Sequence, residues 1–329
     1  MPWLDLAQKA CFTFLNISWG KFATFVPLHA APRWFQPGPL MAISRTSALL
    51  RLHFSAILFG STALFGEAVQ AGPIAIVFGR TVFAVLALSL VAAWGRNPPW
   101  KGLADKGIAA LCVLGAMLAL HWVTFFMAVQ YGGVALATLG FASFPVFVAL
   151  LEAVILRARP PARDVLVLLL VTAGMALITP RFSLADTGTA GLLWGILSGA
   201  IYAGIAVFNR YRAPAATSAQ SCWWQCLAAC IVIAPFSPAA MAGLDARDWL
   251  LLALLGAVCT GLAYTIFLQA LDVVKAQTVA VVISMEPVYA IALAWLAFNA
   301  VPGPQVVLGG ALIIGAVLLA SLQPARQHT

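Results

Sequence analysis

The chain has 329 residues, of which 63% are hydrophobic and only 9% are charged, and its mean hydropathy is +0.99. A soluble domain of this size carries about 25% charged residues, so the composition excludes an ordinary soluble protein and indicates a polytopic membrane protein. The net charge of +8 does not indicate nucleic-acid binding, because most basic residues lie in short loops between apolar runs, where they set membrane orientation.

The N-terminal segment differs from the rest of the chain. Residues 1–40 contain no apolar run long enough to cross a bilayer, and Met41 begins a stretch typical of a natural start. No small-residue cleavage site follows the short apolar run in this segment, which argues against a signal peptide. We expect residues 1–48 to be a cytoplasmic extension, of which 1–40 are dispensable or a mis-assigned upstream start.

From Leu50 onward the chain consists of apolar runs joined by short connections. A run of about 20 apolar residues covers the hydrocarbon core of a bilayer. The sequence predicts an all-α membrane protein with ten transmembrane helices, at roughly 52–70, 73–94, 107–129, 132–156, 164–180, 190–209, 219–237, 249–271, 276–298 and 303–322.

Lysine and arginine are distributed unevenly between the two sides of the predicted membrane. One side carries two, Arg181 and Arg247. The other side carries twelve, namely Arg45, Arg51, Arg96, Lys101, Lys106, Arg157, Arg159, Arg163, Arg210, Arg212, Lys275 and Arg326. Because cytoplasmic loops carry the excess of positive charge, we expect both termini to be cytoplasmic.

An internal repeat is visible when the chain is shifted by 142 residues, which places Phe125 on Phe267 and Pro145 on Pro287. Five spans is an odd number, so the second copy must be inverted relative to the first, as in many transporters that bind substrate between the repeats. The predicted organisation is an N-terminal extension (1–48), a first repeat (49–182), a second repeat (188–323) and a cytoplasmic tail (324–329).

Glu286 is the first candidate for a functional residue. It lies near the middle of the apolar run 276–298 and is followed by Pro287, which frees a backbone carbonyl one turn earlier. An ionisable residue at this depth is costly and usually functional. Glu286 could carry a proton or pair with a substrate ammonium group, and the sequence leaves both roles open beside a purely structural one. Pro145 and Pro287 are predicted hinges.

Glu67 and Arg80 are predicted to lie at similar depths, near the outer ends of the first two spans. A buried charge should be paired, so we expect a Glu67–Arg80 ion pair that acts as a structural clamp or as an outer gate and substrate-carboxylate site. Reversing both charges should then restore what either single reversal abolishes.

His121 in the third span could relay protons or form a hydrogen bond across a helix contact. Aromatic residues of several spans could line a cavity or fill helix interfaces, and with His121 and Glu286 they complete the candidate substrate-binding or coupling set: Trp122, Phe125, Tyr202, Tyr264 and Tyr289. Cys222, Cys226 and Cys230 share one helix face, which favours a close helix contact over a metal site.

Several motifs in order resemble the EamA family of the drug/metabolite transporter superfamily. They are Leu58–Thr62, Pro73 with Arg80–Ala84, Phe144–Phe147, Gly256–Ala270 and Met285–Tyr289. The resemblance covers residues 50–322 and implies ten helices, two inverted repeats, a central cavity, export of small metabolites such as amino acids, and no bound cofactor. This chain departs from the family at Glu67, where a lysine is common, and the reversed charge weakens any inference about substrate preference.

Three classes of function compete. An enzyme would need a cluster of reactive groups, but the four histidines are scattered, and no phosphate-binding glycine motif is present to support ATP-driven transport. We expect a secondary transporter, not an enzyme, that exports amino acids or related metabolites by alternating access, with protons as a further possible partner and a bacterial inner membrane as its location. Uptake of a small metabolite or vitamin is the alternative, and a non-transport membrane protein is less favoured.

Overall fold

The computed structural model describes residues 45–95, 98–155, 162–178, 183, 186–212, 216–271, 282–283 and 285–321. These residues are helical apart from short turns, and no β-strand occurs among them. The predicted N-terminal extension up to residue 44 and the tail from residue 322 lie outside the described residues. So do residues 272–281, in the predicted ninth span and the loop before it.

Twelve helices are described, and we number them in chain order. They are α1 (Arg45–Ala68), α2 (Pro73–Trp94), α3 (Asp105–Phe141), α4 (Phe144–Ile155), α5 (Ala162–Ile178), α6 (Thr187–Arg212), α7 (Ser218–Ile233), α8 (Ser237–Ala240), α9 (Ala246–Gly256), α10 (Ala263–Leu271), α11 (Glu286–Phe298) and α12 (Pro304–Ser321). A short 3₁₀ turn (Ala234–Phe236) joins α7 to α8, and a π-helical segment (Ala257–Leu262) joins α9 to α10.

Six helical stretches in this part of the chain are long and apolar enough to cross a membrane. They are Thr46–Ala68, Pro73–Trp94, Asp105–Phe141, Thr187–Phe208, Ser218–Ala240 and Ala246–Ala270. Shorter apolar helices occur in the predicted spans four, five, nine and ten. The membrane-protein class is thus supported, and the number of ten spans stays a prediction.

The third and fourth spans follow each other closely, and the bend between them lies near the predicted boundary at residues 130–131. α3 consists of two helical stretches, and as one straight helix it would be about 55 Å long at 1.5 Å per residue, too long for one crossing of a core of about 30 Å. It changes direction at Gly133, whose φ of 74° lies in the left-handed region that glycine tolerates. The fourth span is then interrupted at Ala142–Ser143 before α4 begins.

The two predicted hinge prolines occupy equivalent places. Pro145 is the second residue of α4, directly after the interruption of the fourth span. Pro287 is the second residue of α11, directly after a turn at Met285. Proline is well tolerated in the first turn of a helix because its missing N–H would have no intrahelical acceptor there. Both prolines therefore restart a helix after a break, and their use as hinges stays a prediction.

The helices of the two halves of the chain pack against each other in matched pairs. α3 packs along α6, and at the equivalent place in the other half the π segment and α10 pack along α1. The contact of α4 with α6 corresponds to that of α11 with α1. The contact of α3 with α7 corresponds to that of α9 with α2. Each contact made by helices of one repeat thus has a counterpart made by the equivalent helices of the other repeat, which is consistent with the inverted repeat.

Close approach of α3 and α6 depends on glycine. Gly191 and Gly195 lie one turn apart on α6. A Cβ on Gly191 would collide with the backbone of Gly132 on α3, and one on Gly195 with the carbonyl oxygen of Ala137. Small residues at such spacing let helix backbones meet in membranes. This contact holds the first half of the chain against the second beside the candidate site.

Candidate functional site

A cavity of about 60 Å³ lies between the two halves of the chain. A water molecule needs roughly 10–15 Å³, so the cavity has room for a few waters. Its walls come from α1, α2, α3, α6, the π segment, α10, α11 and the helical residues just before α11. The lining residues are Phe59, Thr62, Arg80, Leu118, His121, Trp122, Phe125, Phe141, Tyr202, Cys259, Thr260, Tyr264, Ile283 and Glu286.

Glu286 enters the cavity from the first residue of α11, where the chain resumes a helix after the turn at Met285. Its side chain is only 7% exposed. None of the hydrogen bonds or ion pairs found among the described residues involves its carboxylate. A helix N-terminus favours negative charge, which lowers the cost of placing an acid here.

Arg80 reaches the cavity from the middle of α2 and is 2% exposed. Its Nε and Nη2 donate to Thr260 Oγ1 at 3.1 and 2.9 Å, and its guanidinium carbon lies 4.1 Å from the centre of the Trp122 ring. The third nitrogen, Nη1, has no hydrogen-bond acceptor among the described residues. A buried guanidinium with an unpaired donor favours binding of an anionic group.

His121 and Tyr202 form the core of an aromatic cluster between α3 and α6. Their ring centres are 5.0 Å apart, and Phe141 lies 5.4 Å from both. Ser198 on α6 fixes the imidazole, because its Oγ lies 2.8 Å from His121 Nδ1. Neither the tyrosine hydroxyl nor Nε2 of the imidazole has a hydrogen-bond partner among the described residues. These two groups can bind a polar group of a ligand.

Tyr264 lies on the opposite wall, on α10. Its hydroxyl donates to Gln225 Oε1 of α7 at 2.9 Å, and its ring stacks on that of Phe267 with a separation of 6.1 Å. The Gln225 amide nitrogen is buried without a partner among the described residues. The hydrogen bond fixes the tyrosine ring as part of the wall.

The predicted Glu67–Arg80 ion pair is wrong. Arg80 donates to Thr260, whereas Glu67 is exposed near the end of α1 and does not line the cavity. The exposed Glu67 is thus directed away from the protein interior, in which Arg80 is buried. A gating role for either residue stays a prediction.

The other predicted site residues fall into those that line the cavity and those that do not. Six line the cavity: His121, Trp122, Phe125, Tyr202, Tyr264 and Glu286. Tyr289 does not, and its hydroxyl instead lies 3.2 Å from His53 Nδ1, linking α11 to α1. Pro145 and Pro287 are not among the lining residues. Their roles in binding or coupling stay predictions.

Sequence reasoning missed Thr260, which binds Arg80, and Phe141, which completes the aromatic cluster. Thr260 was inconspicuous because nothing in the sequence signals the π turn that presents it. Phe141 lies at the interruption before Pro145, and that break was a usable signal. Within the described part of the chain, no group of three or more His, Cys, Asp or Glu side chains could hold a metal ion.

The model of the EamA-like transporter family matches residues 46–179 and again residues 189–322. Together these matches cover most of the chain. The chain therefore belongs to the EamA-like transporter family and is a membrane transporter of the drug/metabolite type. The two matched copies agree with the predicted repeat, and the expected family membership is confirmed.

Individual relatives agree with this assignment. The chain is 27% identical over 289 residues to the pseudopaline exporter CntI of Pseudomonas aeruginosa, a match that covers 86% of this chain and 98% of the exporter. It is 23% identical over 259 residues to the uncharacterized transporter YxxF of Bacillus subtilis, covering 76% of this chain and 81% of that protein. A solved crystal structure with 23% identity and a TM-score of 0.59 covers 87% of this chain and 100% of its own, and it supports the fold.

Proposed function

We propose that this transporter is a secondary exporter of small zwitterionic metabolites, most simply amino acids or related compounds. The observation that carries the proposal is that Arg80 and Glu286 line one cavity without pairing to each other. Buried charges without partners are costly. A substrate with both a carboxylate and an ammonium group would satisfy both residues.

In this proposal the substrate carboxylate binds Arg80 and its ammonium group binds Glu286. The aromatic residues around His121 and Tyr202 contact the rest of the molecule. A compact ligand of this kind matches the arrangement of charges across an otherwise apolar space. Apolar walls with a few placed polar groups are typical of small-molecule sites.

Transport would proceed by alternating access, with the two halves of the chain moving about the cavity. The breaks before Pro145 and Pro287 are the sites where we expect the helices to bend. Glu286 can also accept a proton when the substrate leaves, which would couple export to the proton gradient. The relative named as an exporter supports the outward direction, and the inner membrane is the proposed location, with both termini in the cytoplasm.

The test is metabolite analysis of the medium of cells that overproduce the transporter, compared with cells producing Glu286→Gln. The matched control is Asp105→Asn, which likewise replaces a carboxylate with an amide, at an exposed residue outside the cavity. We expect amino acids to accumulate outside with the unaltered protein and the control, but not with Glu286→Gln at equal protein abundance. Depletion of a metabolite from the medium would indicate uptake instead. Undiminished export by Glu286→Gln would exclude the carboxylate from the mechanism.

A further inference from the structure

Thr260 lies in the π-helical segment between α9 and α10 and is 1% exposed. Its hydroxyl donates to the carbonyl oxygen of Leu255, five residues earlier, at 2.8 Å. Such π turns are rare and occur frequently at functional sites. Because the single hydroxyl proton is used in this way, the oxygen is available to Arg80 only as an acceptor.

Arg80 uses two of its three nitrogens on that oxygen, Nε at 3.1 Å and Nη2 at 2.9 Å. The Trp122 ring, 4.1 Å away, covers the guanidinium group. A Cβ at Gly256 would collide with the carbonyl oxygen of Arg80, so only glycine allows this close approach of α9 to α2. The two helices are thus in direct backbone contact beside the pair.

We propose that Thr260 is a positioning residue that fixes Arg80 so that Nη1 alone remains to bind the anionic group of the transported molecule. The proposal rests on the proposed function in taking that group to be a carboxylate. Without the hydroxyl, Nε and Nη2 would also be unpaired, and the guanidinium would turn between several orientations. Selectivity for a carboxylate over a neutral group would then fall.

The variants are Thr260→Val, which removes the hydroxyl at nearly constant volume, and Thr260→Ser, which retains it. The matched control is Thr265→Val. Thr265 lies one turn further along, donates to the carbonyl oxygen of Gly261 at 2.7 Å, and makes no contact with Arg80. Counterflow into proteoliposomes is measured for each of the twenty protein amino acids and for its carboxyl amide.

We expect the unaltered protein to transport an amino acid with a much lower KM than its amide. Thr260→Val should reduce the ratio of the KM for the amide to the KM for the amino acid by about tenfold, as expected for a weakened hydrogen bond to a charged group. The maximal rate should change little. Thr260→Ser and Thr265→Val should keep the ratio. An unchanged ratio in Thr260→Val would overturn the proposal.

A second measurement needs no substrate. The melting temperature of the purified protein is determined for Thr260→Val, Arg80→Met and the double variant, with Arg80→Lys as substitute if Arg80→Met does not fold. Thr260→Val also removes the hydrogen bond to the carbonyl oxygen of Leu255, so it should cost some stability in either background. If Thr260 acts through Arg80, the cost should be larger when the arginine is present. Additive costs would refute the positioning role. If the unaltered protein transports no amino acid, the proposed substrate class is wrong. The melting temperatures of the single and double variants then decide alone whether Thr260 positions Arg80.

Discussion

Ser198 Oγ lies 2.8 Å from Nδ1 of His121 and 3.0 Å from the backbone carbonyl oxygen of the same histidine. The serine belongs to α6 and the histidine to α3, so this pair joins the two halves of the chain at the cavity wall. With Nδ1 bound, Nε2 is the ring nitrogen left for a ligand. The serine therefore determines how the imidazole is presented.

Replacing Ser198 with alanine should weaken substrate binding without unfolding the protein. Loss of one buried hydrogen bond costs about 1 kcal/mol, so we expect KM for the transported metabolite to rise about fivefold. The control is Ser237→Ala, which removes a buried hydroxyl bonded to the carbonyl of Ala234, away from the cavity. Equal KM values in both variants would show that binding does not depend on the serine hydroxyl and that the backbone carbonyl oxygen of Ser198, 3.2 Å from Nδ1, is enough to orient the ring.

The absence of a Glu67–Arg80 pair changes the outcome expected from charge reversal. Arg80→Gln should reduce transport at least tenfold, since a charged hydrogen-bond donor at the cavity is lost, whereas Glu67→Gln should transport almost normally. The double variant Glu67→Arg with Arg80→Glu should be as inactive as Arg80→Glu alone. Restored transport would mean that the two residues meet in another state of the cycle. The measurement is initial export rate at equal abundance in the membrane.

Asp248 at the start of α9 holds the end of α1, because its Oδ1 accepts a hydrogen bond from the backbone N–H of Gln70 at 3.1 Å. Asp248→Ala would leave that donor unpaired at a cost of about 1–3 kcal/mol. We expect this end of the cavity to open more often and Cys259, which lines the cavity, to react faster with a membrane-permeant maleimide.

The control for this experiment is Asp245→Ala, which removes the N-cap of α9 at a cost of about 1 kcal/mol but touches no residue of α1. Modification of Cys259 is followed by mass spectrometry of its peptide. Equal rates in the two variants would mean that the contact between Asp248 and Gln70 does not keep the cavity closed.

Two glycines of α12 should respond oppositely to alanine. A Cβ at Gly309 would collide with Ile178 and with the carbonyl oxygen of Gly174 on α5, whereas a Cβ at Gly315 would meet nothing within 4 Å. We expect Gly309→Ala to destabilise the protein by about 1–3 kcal/mol and Gly315→Ala to be neutral or slightly stabilising. Thermal unfolding in detergent tests this, and a similar loss in both variants would contradict the helix contact.

Depth in the membrane could be predicted from the sequence, and this explains which site residues were identified. Each residue of a helix advances 1.5 Å, so counting from the span ends placed Glu286 near the middle of its span and Arg80 and His121 in the outer halves of theirs. The structure brings these three residues to one cavity. The general architecture could also be predicted, because the lengths and the order of the apolar runs are read directly from the sequence.

The direction in which a side chain points around its helix was harder to predict. A membrane helix is apolar on all sides, so hydrophobic periodicity does not distinguish the face toward the protein from the face toward lipid. Tyr289 lies three residues after Glu286 and faces His53 instead of the cavity. The direction of the Glu67 side chain was mispredicted for the same reason. The π turn that places Thr260 depends on packing that no local sequence pattern reveals.

The glycine contact between α3 and α6 also has an entropic consequence. Side chains such as leucine or methionine lose rotamer freedom each time an interface closes, whereas glycine has none to lose. The surfaces at Gly132 with Gly191 and at Gly140 with Gly195 meet through backbone atoms. In the alternating-access cycle proposed above, separation and rejoining of these two helices would order or release no side chains at these points, so this part of the interface would add little conformational entropy to the cost of closing.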